Sequence, residues 1–370
     1  MSSESLLTLA ARLENTASGP FSSVLVGFDA FLDDLTHVVE RRRTPDSYEP
    51  MASLADFGAW VSAAAGRSGL REAVVAKSCA GGCAINLGDG LAALGFPVNA
   101  CVGVGESPPP AFAPVLARFH TRIPFPCEPG RTAAYEFADG KLMLCTTSHF
   151  AAITPEFLAR NLDYRAYRRL AAESGAIVLT SWSVYPHMTA CWRWLREEVL
   201  AGLPSRPRIF FDLADPAGRS PAELEEMAAE LRAFEAIGPV TLSVNVNEAT
   251  RLSAVLRLPA PGDLADTAAV LRERLGIDEV SIHAIREAAT ATATHRARVS
   301  GPFCARPVQS VGAGDRFNSG MLAALLLGLD PGARLATACA ASGFFVRNAR
   351  SASLPELANF LRRWSAAELE

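Results

Sequence analysis

Four consecutive residues near the carboxyl end of the chain, Gly312, Ala313, Gly314 and Asp315, precede a strongly helix-forming run. The start of a helix leaves backbone N–H groups unpaired and carries partial positive charge, so small residues there let a phosphate approach closely. An aspartate directly after such a cradle could accept the proton of an attacking hydroxyl during phosphoryl transfer. A glycine-rich loop whose aspartate is favoured only by the helix dipole explains the same spacing equally well.

A second glycine pair, Gly81 and Gly82, also precedes a predicted helix. Asn86 lies one turn into that helix, where its amide could face the end of a sheet as a hydrogen-bonding group. An ordinary strand-to-helix turn with a capped helix explains the pattern without any ligand. The spacing alone favours this simpler interpretation.

Acidic and amide residues follow two other predicted strands. Asn245 and Glu248 lie three residues apart where a strand meets a helix. That pair could hold hydrated Mg²⁺, which keeps several waters and takes one or two protein carboxylates. A helix cap with a first-turn glutamate is the simpler interpretation.

Asp29 and Asp33 follow the first predicted strand. They could accept hydrogen bonds from substrate hydroxyls, or they could belong to an acidic loop or a helix cap.

Short apolar runs rich in β-branched residues alternate with longer helical stretches. Such runs are typical of strands buried on both faces, so the pattern predicts an α/β fold wound around a mostly parallel sheet. Ligands of such sheets bind beyond the carboxyl ends of the strands. The predicted strands are 23–27, 73–76, 98–102, 176–180, 208–212, 241–245 and 279–283, the last of which we expect to close the sheet.

One region interrupts this alternation. Residues 131–137 and 141–146 flank Asp139 and Gly140, a pair that supports the positive backbone angles of a tight hairpin turn. We therefore predict a β-hairpin there, forming a small separate sheet. The segment 31–39 could join it.

Composition excludes several classes of function. The 370 residues include 35 basic and 39 acidic side chains, with a net charge of −4, so no basic surplus indicates nucleic-acid binding.

Eight cysteines without a C-x-x-C pair predict free thiols, most of them buried, in a reducing compartment. Neither a signal peptide nor a membrane-spanning apolar run is present, so the cytoplasm is the expected location. No Walker-type phosphate loop or protein-kinase catalytic loop occurs.

Together and in this order, the motifs resemble those of the ribokinase (PfkB-type) carbohydrate kinase family, of which the chain looks like a divergent member. The resemblance rests on Gly312 to Asp315 with Phe317 and Gly320, on Gly81 and Gly82 with Asn86, and on Asn245 with Glu248. It spans roughly residues 22–360. Asp29 or Asp33 matches the acidic segment that family members carry after the first strand.

The resemblance implies an architecture. It predicts a single ribokinase-like domain over residues 1–370, with a three-layer α/β/α core, a mostly parallel sheet and a small β-sheet lid. The lid would comprise segments of about 29–45 and 122–150. Many family members are dimers that meet through their lids, so a homodimer is a further expectation.

The resemblance also implies an activity and a set of roles. The γ-phosphate of ATP would pass to a hydroxyl of a sugar or sugar-like molecule. Mg²⁺ would be held near Asn245 and Glu248, largely through water. Asp315 would act as the general base, with Gly312, Ala313 and Gly314 as the anion hole. The candidate substrate-binding residues are Asp29, Asp33, Gly81, Gly82 and Asn86.

The chain departs from the family pattern at two places near the nucleotide. Gln309 stands where family members carry an aspartate tied to a monovalent cation, so the sequence does not support a potassium requirement. Residues 283–287 replace the family's Thr-Leu-Gly segment. A nucleoside kinase, or a non-catalytic sensor of sugars or nucleotides on the same fold, therefore stands as an alternative to a sugar kinase.

Overall fold

A computed structural model describes residues 2–16, 20–258 and 262–369. The strands are β1 (Ser23–Phe28), β2 (Phe31–Thr44), β3 (Ser47–Pro50), β4 (Ala73–Gly81), β5 (Val98–Val102), β6 (Thr121–Pro124), β7 (Gly130–Phe137), β8 (Gly140–Thr146), β9 (Ser174–Leu179), β10 (Arg208–Asp212), β11 (Val240–Asn245), β12 (Glu279–His283), β13 (Glu287–Ala291) and β14 (Arg296–Ser300). The helices are α1 (Ser3–Thr16), α2 (Leu54–Ala63), α3 (Cys83–Ala93), α4 (Ala113–Leu116), α5 (Pro155–Asn161), α6 (Tyr164–Glu173), α7 (Met188–Trp194), α8 (Pro221–Ala233), α9 (Val246–Val255), α10 (Leu264–Leu275), α11 (Ala313–Leu326), α12 (Pro331–Asn348) and α13 (Leu354–Ser365).

Nine strands form the large sheet, in the order β14-β13-β12-β11-β10-β9-β1-β5-β6. The strands from β12 to β6 in this order pair in parallel, and β13 and β14 add an antiparallel edge. Successive residues of β1 pack into two different cores: Val24 and Val26 into one, and Leu25 into the other. Both faces of the sheet are therefore covered, which confirms the predicted three-layer α/β/α architecture with a mostly parallel sheet.

Helices from different parts of the chain cover the two faces. The core that contains Val24 and Val26 also contains apolar side chains of α1, α3, α11, α12 and α13. The core that contains Leu25 is completed by α5, α6, α7, α8, α9 and α10. Since α3 and α11 lie on the same face, the helices that follow the two glycine motifs become neighbours.

The small sheet contains β3, β2, β7 and β8 in that order, and β4 pairs with β2. The predicted hairpin is present, because β7 and β8 pair antiparallel around Asp139 and Gly140. The segment 31–39 joins it as predicted, since β2 runs parallel to β7. Helix α2 covers part of the sheet, where Phe57 stacks on Tyr135.

Two predictions about strands are wrong. The pattern at 73–76 predicts a strand of the large sheet, but β4 pairs antiparallel with β2 in the small sheet, where Val75 is 54% exposed. An apolar run shows that a segment is extended, but not which sheet it joins. Residues 279–283 do not close the large sheet, because β13 and β14 continue it. In addition, β6 overlaps the start of the segment 122–150 expected for the lid, and it is an edge strand of the large sheet.

Two further expectations concern the cysteines and membranes. All eight cysteines are free thiols, as predicted, although only Cys101, Cys191 and Cys339 are buried and Cys145 is exposed. Among the described residues, no helix combines the length and the apolar character needed to cross a bilayer.

The carboxyl ends of the parallel strands meet along one edge of the large sheet. Asp29 follows β1, while Asp212, Asn245 and His283 end β10, β11 and β12. The chain order reverses at β1, because β5 and β6 lie on one side of it and β9 to β12 on the other. Ligands of open α/β sheets bind at such a reversal, so this edge is where a site is expected.

Candidate active site

Asp315 lies in the first turn of α11, shortly after the residue that caps the helix. The cap is Gly312, whose φ of 87° lies in the left-handed region that favours glycine. The Asn86 amide donates a 2.8 Å hydrogen bond from Nδ2 to Asp315 Oδ2. A methyl group at Gly312 would lie 3.3 Å from the same Asn86 nitrogen, so a side chain at this position would crowd the Asn86 amide. The two glycine motifs thus meet through one amide–carboxylate contact.

The glycine pair before α3 makes room for two carboxylates. A Cβ atom at Gly81 would lie 1.9 Å from Asp33 Oδ2, and one at Gly82 would lie 2.7 Å from Asp29 Oδ2. Gly82 also has a φ of 99°, which disfavours other residues. The close approach of Asp29 and Asp33 is therefore the structural reason for two consecutive glycines here.

Asp29 and Asp33 occupy different environments. Asp29 is fully buried and accepts hydrogen bonds from the backbone N–H groups of Cys83 at 2.6 Å and Ala84 at 3.1 Å. It therefore caps the start of α3, as the simpler interpretation of the acidic segment suggested. Asp33 lies on β2 of the small sheet, opposite Thr132 of β7, and its carboxylate extends over Gly81.

Asp212 adds a carboxylate that the sequence motifs did not assign to the site. One oxygen each of Asp212 and Asp315, together with Cys83 Sγ, lie within 4.8 Å of one another. The Asn318 amide donates to Asp212 Oδ2 at 2.7 Å, and Ser243 Oγ donates to the Asn318 carbonyl at 2.6 Å. These bonds fix the orientation of the Asp212 carboxylate from α11 and β11.

Asn245 and Glu248 form a reciprocal cap at the start of α9. Asn245 Oδ1 accepts from the Glu248 N–H at 3.0 Å, and Glu248 Oε2 accepts from the Asn245 N–H at 2.8 Å. The pair therefore forms a helix cap, as the simpler interpretation of the sequence predicted. Glu248 is nevertheless only 5% exposed and is affected by the charges of Asp212, Asp215 and Asp315, so it also belongs to the acidic cluster.

Burial and mutual repulsion shape the ionisation of this cluster. Burial raises the pKa of Asp315, and the neighbouring Asp212 carboxylate raises it further. Burial also raises the pKa of Glu248, again with Asp212 as the strongest like charge. Within the described ranges, none of the five carboxylates (Asp29, Asp33, Asp212, Glu248 and Asp315) forms a salt bridge with lysine or arginine. A cluster of hard oxygen donors without a close ion pair fits a divalent cation such as Mg²⁺.

A cavity of about 910 Å³ adjoins the start of α11. The His283 imidazole packs on the Phe317 ring, with 4.8 Å between ring centroids, and burial lowers the pKa of His283 to about 4. At the rim, the Arg286 guanidinium lies 3.7 Å from the centroid of the Phe303 ring. A largely apolar cavity of this size beside the start of a helix fits a nucleotide, with the base between apolar walls and the phosphates at the helix. The cavity is also lined by Asn245, Ala284, Ser310, Ala313, Gly314, Cys339 and Val346.

The structure thus brings the predicted site residues together at one edge of the large sheet. Gly81, Gly82, Asn86, Asp29 and Asp33 lie on the side of the small sheet. Asn245 and Glu248 lie on the side of the cavity, with Asp315 between the two groups. Asp212 was missed as a site residue, although its position as the last residue of an apolar strand was a usable signal.

The family model of prokaryotic ketohexokinases matches residues 7–364 of the chain. A protein named ketohexokinase from Haloferax volcanii is 28% identical over 341 residues, which cover 91% of this chain and 90% of that protein. These two findings confirm the resemblance to the ribokinase-type carbohydrate kinases that the motifs indicated.

Solved structures with the same fold have low sequence identity. A carbohydrate kinase from Agrobacterium tumefaciens has a TM-score of 0.60 at 20% identity, covering 92% of this chain and 97% of that one. A ribokinase from Thermotoga maritima has a TM-score of 0.62 at 15% identity, covering 92% and 99%. An adenosine kinase from Sinorhizobium meliloti has a TM-score of 0.62 at 16% identity, covering 94% and 100%. These likenesses establish a ribokinase-like fold.

Proposed function

The chain belongs to the prokaryotic ketohexokinase family, and from this premise we propose that it transfers the γ-phosphate of ATP to a hydroxyl of a ketohexose. It is a carbohydrate kinase, a phosphotransferase with an alcohol group as acceptor. The related protein from Haloferax volcanii carries the name ketohexokinase, which supports the choice of sugar. The observation that carries the proposal is the Asp315 carboxylate at the glycine-rich start of α11, hydrogen-bonded to Asn86.

Asp315 is the proposed general base. Its raised pKa makes the carboxylate a stronger proton acceptor than an exposed aspartate, which suits removal of a proton from an alcohol. The backbone N–H groups of Gly312, Ala313 and Gly314 would stabilise the charge that develops on the phosphoryl oxygens. The Ala313 N–H would first have to leave the Ser310 carbonyl, to which it donates at 3.2 Å. The Asn86 amide holds Asp315 Oδ2, which leaves Oδ1 for the substrate hydroxyl.

The ketohexose would bind between Asp315 and the small sheet. We propose that Asp33 and Asn86 contact its hydroxyls, and that Gly81 and Gly82 let the sugar approach closely. Asp29 has both oxygens engaged by Cys83, Ala84 and Thr180, so its role is to position α3. The small sheet, defined by β2, β3, β4, β7 and β8, would act as the lid.

We also propose that the protein is a cytoplasmic homodimer. Exposed apolar side chains on the small sheet, among them Val75 and Leu144, support a homodimer formed through the lid. The eight free thiols support a reducing, cytoplasmic setting.

The acidic cluster suits the cation that accompanies ATP. Asp212, Asn245 and Glu248 offer oxygen ligands to Mg²⁺, directly or through water, and bound Mg²⁺ would neutralise charge on the phosphates. Gln309 donates its amide to the Val311 carbonyl at 3.2 Å. Since this places an amide where family members carry a carboxylate, we expect no potassium requirement.

Replacing Glu248 with glutamine should raise the Mg²⁺ concentration needed for half-maximal activity by about tenfold or more. The change removes a carboxyl group that can ionise when a cation binds, and it keeps the shape of the side chain. The measurement is a Mg²⁺ titration of ADP release at fixed ATP. Glu356→Gln is the matched control, because Glu356 completes the same type of cap with Ser353 at the start of α13. Equal shifts in both variants would remove Glu248 from the cation site.

The test of the proposed function is ADP release by the purified protein with ATP and Mg²⁺ across ketohexoses, aldoses, polyols and nucleosides. We expect turnover with a ketohexose that is at least about tenfold more efficient in kcat/KM than with any nucleoside. Turnover on a nucleoside alone would replace the proposal with the nucleoside-kinase alternative. Thermal stabilisation by ATP or a sugar without ADP release would favour a sensor.

A further inference from the structure

The two lysines of this chain lie on the same small sheet. Of the 35 basic side chains other than histidine, only Lys77 and Lys141 are lysines, and the rest are arginines. Lys77 belongs to β4 and Lys141 to β8. A lysine ammonium group is a compact charge on a flexible stem, whereas the arginine guanidinium is a planar fork, so the two are not interchangeable.

Lys141 links the small sheet to the glycine-rich loop before α11. It follows Gly140 at the turn of the β7–β8 hairpin, across from Glu136. Its ammonium nitrogen lies 3.5 Å from Ser310 Oγ. The Ser310 carbonyl in turn accepts a 3.2 Å hydrogen bond from the Ala313 N–H. The lysine thus reaches the segment that leads into the proposed anion hole.

The charge of Lys141 is not neutralised by an ion pair. Across residues 2–16, 20–258 and 262–369, no carboxylate lies within 4.0 Å of its nitrogen. The carboxylates that act on it from farther away are those of Glu136, Asp33 and Asp315. Two of these carboxylates belong to the proposed substrate site, so an ammonium group without an ion pair lies near the space where the sugar hydroxyl and the phosphate would meet. Such an ammonium group gains charge-assisted hydrogen bonds when an anionic group enters the site.

We propose that Lys141 is a catalytic residue whose ammonium group contacts the phosphoryl group during transfer. In this step the sugar oxygen forms a bond to phosphorus and the bond from phosphorus to the ADP oxygen breaks. The hydroxyl proton passes to Asp315, and Lys141 keeps its own protons throughout. The inference rests on the proposed function and adds to it, because positive charge would reach the phosphate only when the lid lies over the site.

The kinetic test compares Lys141→Met with wild type. We expect kcat to fall by about 10²–10³-fold, as when one preorganised donor to a developing anion is lost. The KM for the ketohexose should change by less than about threefold, because Lys141 would contact the phosphoryl group and not the sugar. Lys141→Arg should recover part of kcat. Lys77→Met is the matched control, since it removes the other lysine of the sheet, and it should keep wild-type kcat. A kcat of Lys141→Met close to that of wild type would overturn the inference.

A second readout does not depend on turnover. Reductive methylation with ¹³C-formaldehyde keeps the positive charge of each lysine and labels only Lys77, Lys141 and the amino terminus. The NMR signal that is absent in Lys141→Arg should shift when Mg²⁺ and the non-hydrolysable analogue AMP-PNP are added, whereas the Lys77 signal should stay in place. A Lys141 signal that does not move at saturating analogue would contradict the contact. If this signal shifts but wild type does not phosphorylate ketohexoses, the proposed sugar fails and the role of Lys141 stands.

Discussion

Replacing Asp315 with asparagine should lower kcat by about 10²–10⁴-fold, the contribution expected of a general base. Asparagine has nearly the same shape, and its carbonyl oxygen can still accept the bond that Asn86 donates at 2.8 Å. It cannot take up the proton of the sugar hydroxyl. The KM values for ATP and the ketohexose should therefore stay within about threefold of wild type. ADP release at saturating substrates measures the loss.

The stability of the same variant provides a control that is independent of turnover. Burial and Asp212 raise the pKa of Asp315 in the folded state. Above about pH 4, the usual range of an aspartate, the unfolded chain releases a proton that the folded state still holds. The stability that the protonated group contributes is therefore lost as the pH rises toward its folded pKa. Asparagine does not ionise, so the melting temperature of Asp315→Asn should rise relative to wild type between about pH 4 and neutrality.

The two measurements separate a catalytic role from a structural one. If Asp315 is a general base whose charged form is costly to bury, Asp315→Asn should lose turnover and should be more stable than wild type at neutral pH. A variant that turns over at the wild-type rate would remove Asp315 from the mechanism. A variant that loses turnover and is less stable at every pH would instead indicate a structural role for the carboxylate.

The fold was largely predictable because its signals are local. The Asp139-Gly140 pair predicts a turn through its backbone preferences, and β7 and β8 pair around it. The apolar runs at 176–180 and 208–212 correspond to parallel strands buried on both faces. The run at 73–76 looked the same, yet β4 lies in the small sheet. The partner of a strand depends on contacts that are distant in the chain, and a local pattern does not contain them.

The site was less predictable for the same reason. Asn86 and Asp315 are separated by 229 residues, and only the fold shows that they share a hydrogen bond. From the sequence, Asp29 and Asp33 are equivalent candidates for binding the substrate. The structure separates them, because Asp29 caps α3 while Asp33 lies on the small sheet. Lys141 belongs to no motif, and its significance depends on how the hairpin meets the loop at Ser310.

Replacing Gly81 with alanine should raise the KM for the ketohexose by about 10–100-fold. The new methyl group would lie 1.9 Å from Asp33 Oδ2 and 2.5 Å from its Cγ, so the carboxylate must move. The loss of a hydrogen bond to a charged group costs about 1.5–3 kcal/mol, which corresponds to this range of affinity. Asp315 and the start of α11 are unchanged, so kcat should fall much less than KM rises. Steady-state kinetics with varied ketohexose at saturating ATP measures both.

Gly58 offers a matched control and Asp33 a test of the mechanism. Gly58 lies within α2, and a methyl group added there would project into open space, so Gly58→Ala should leave KM unchanged and stabilise the helix slightly. If Gly81→Ala acts by displacing Asp33, the double variant with Asp33→Ala should be no worse than Asp33→Ala alone. Additive losses would mean that the methyl group blocks the sugar directly. In that case Gly81 would be a substrate contact in its own right, and the Asp33 carboxylate would bind the sugar independently of it.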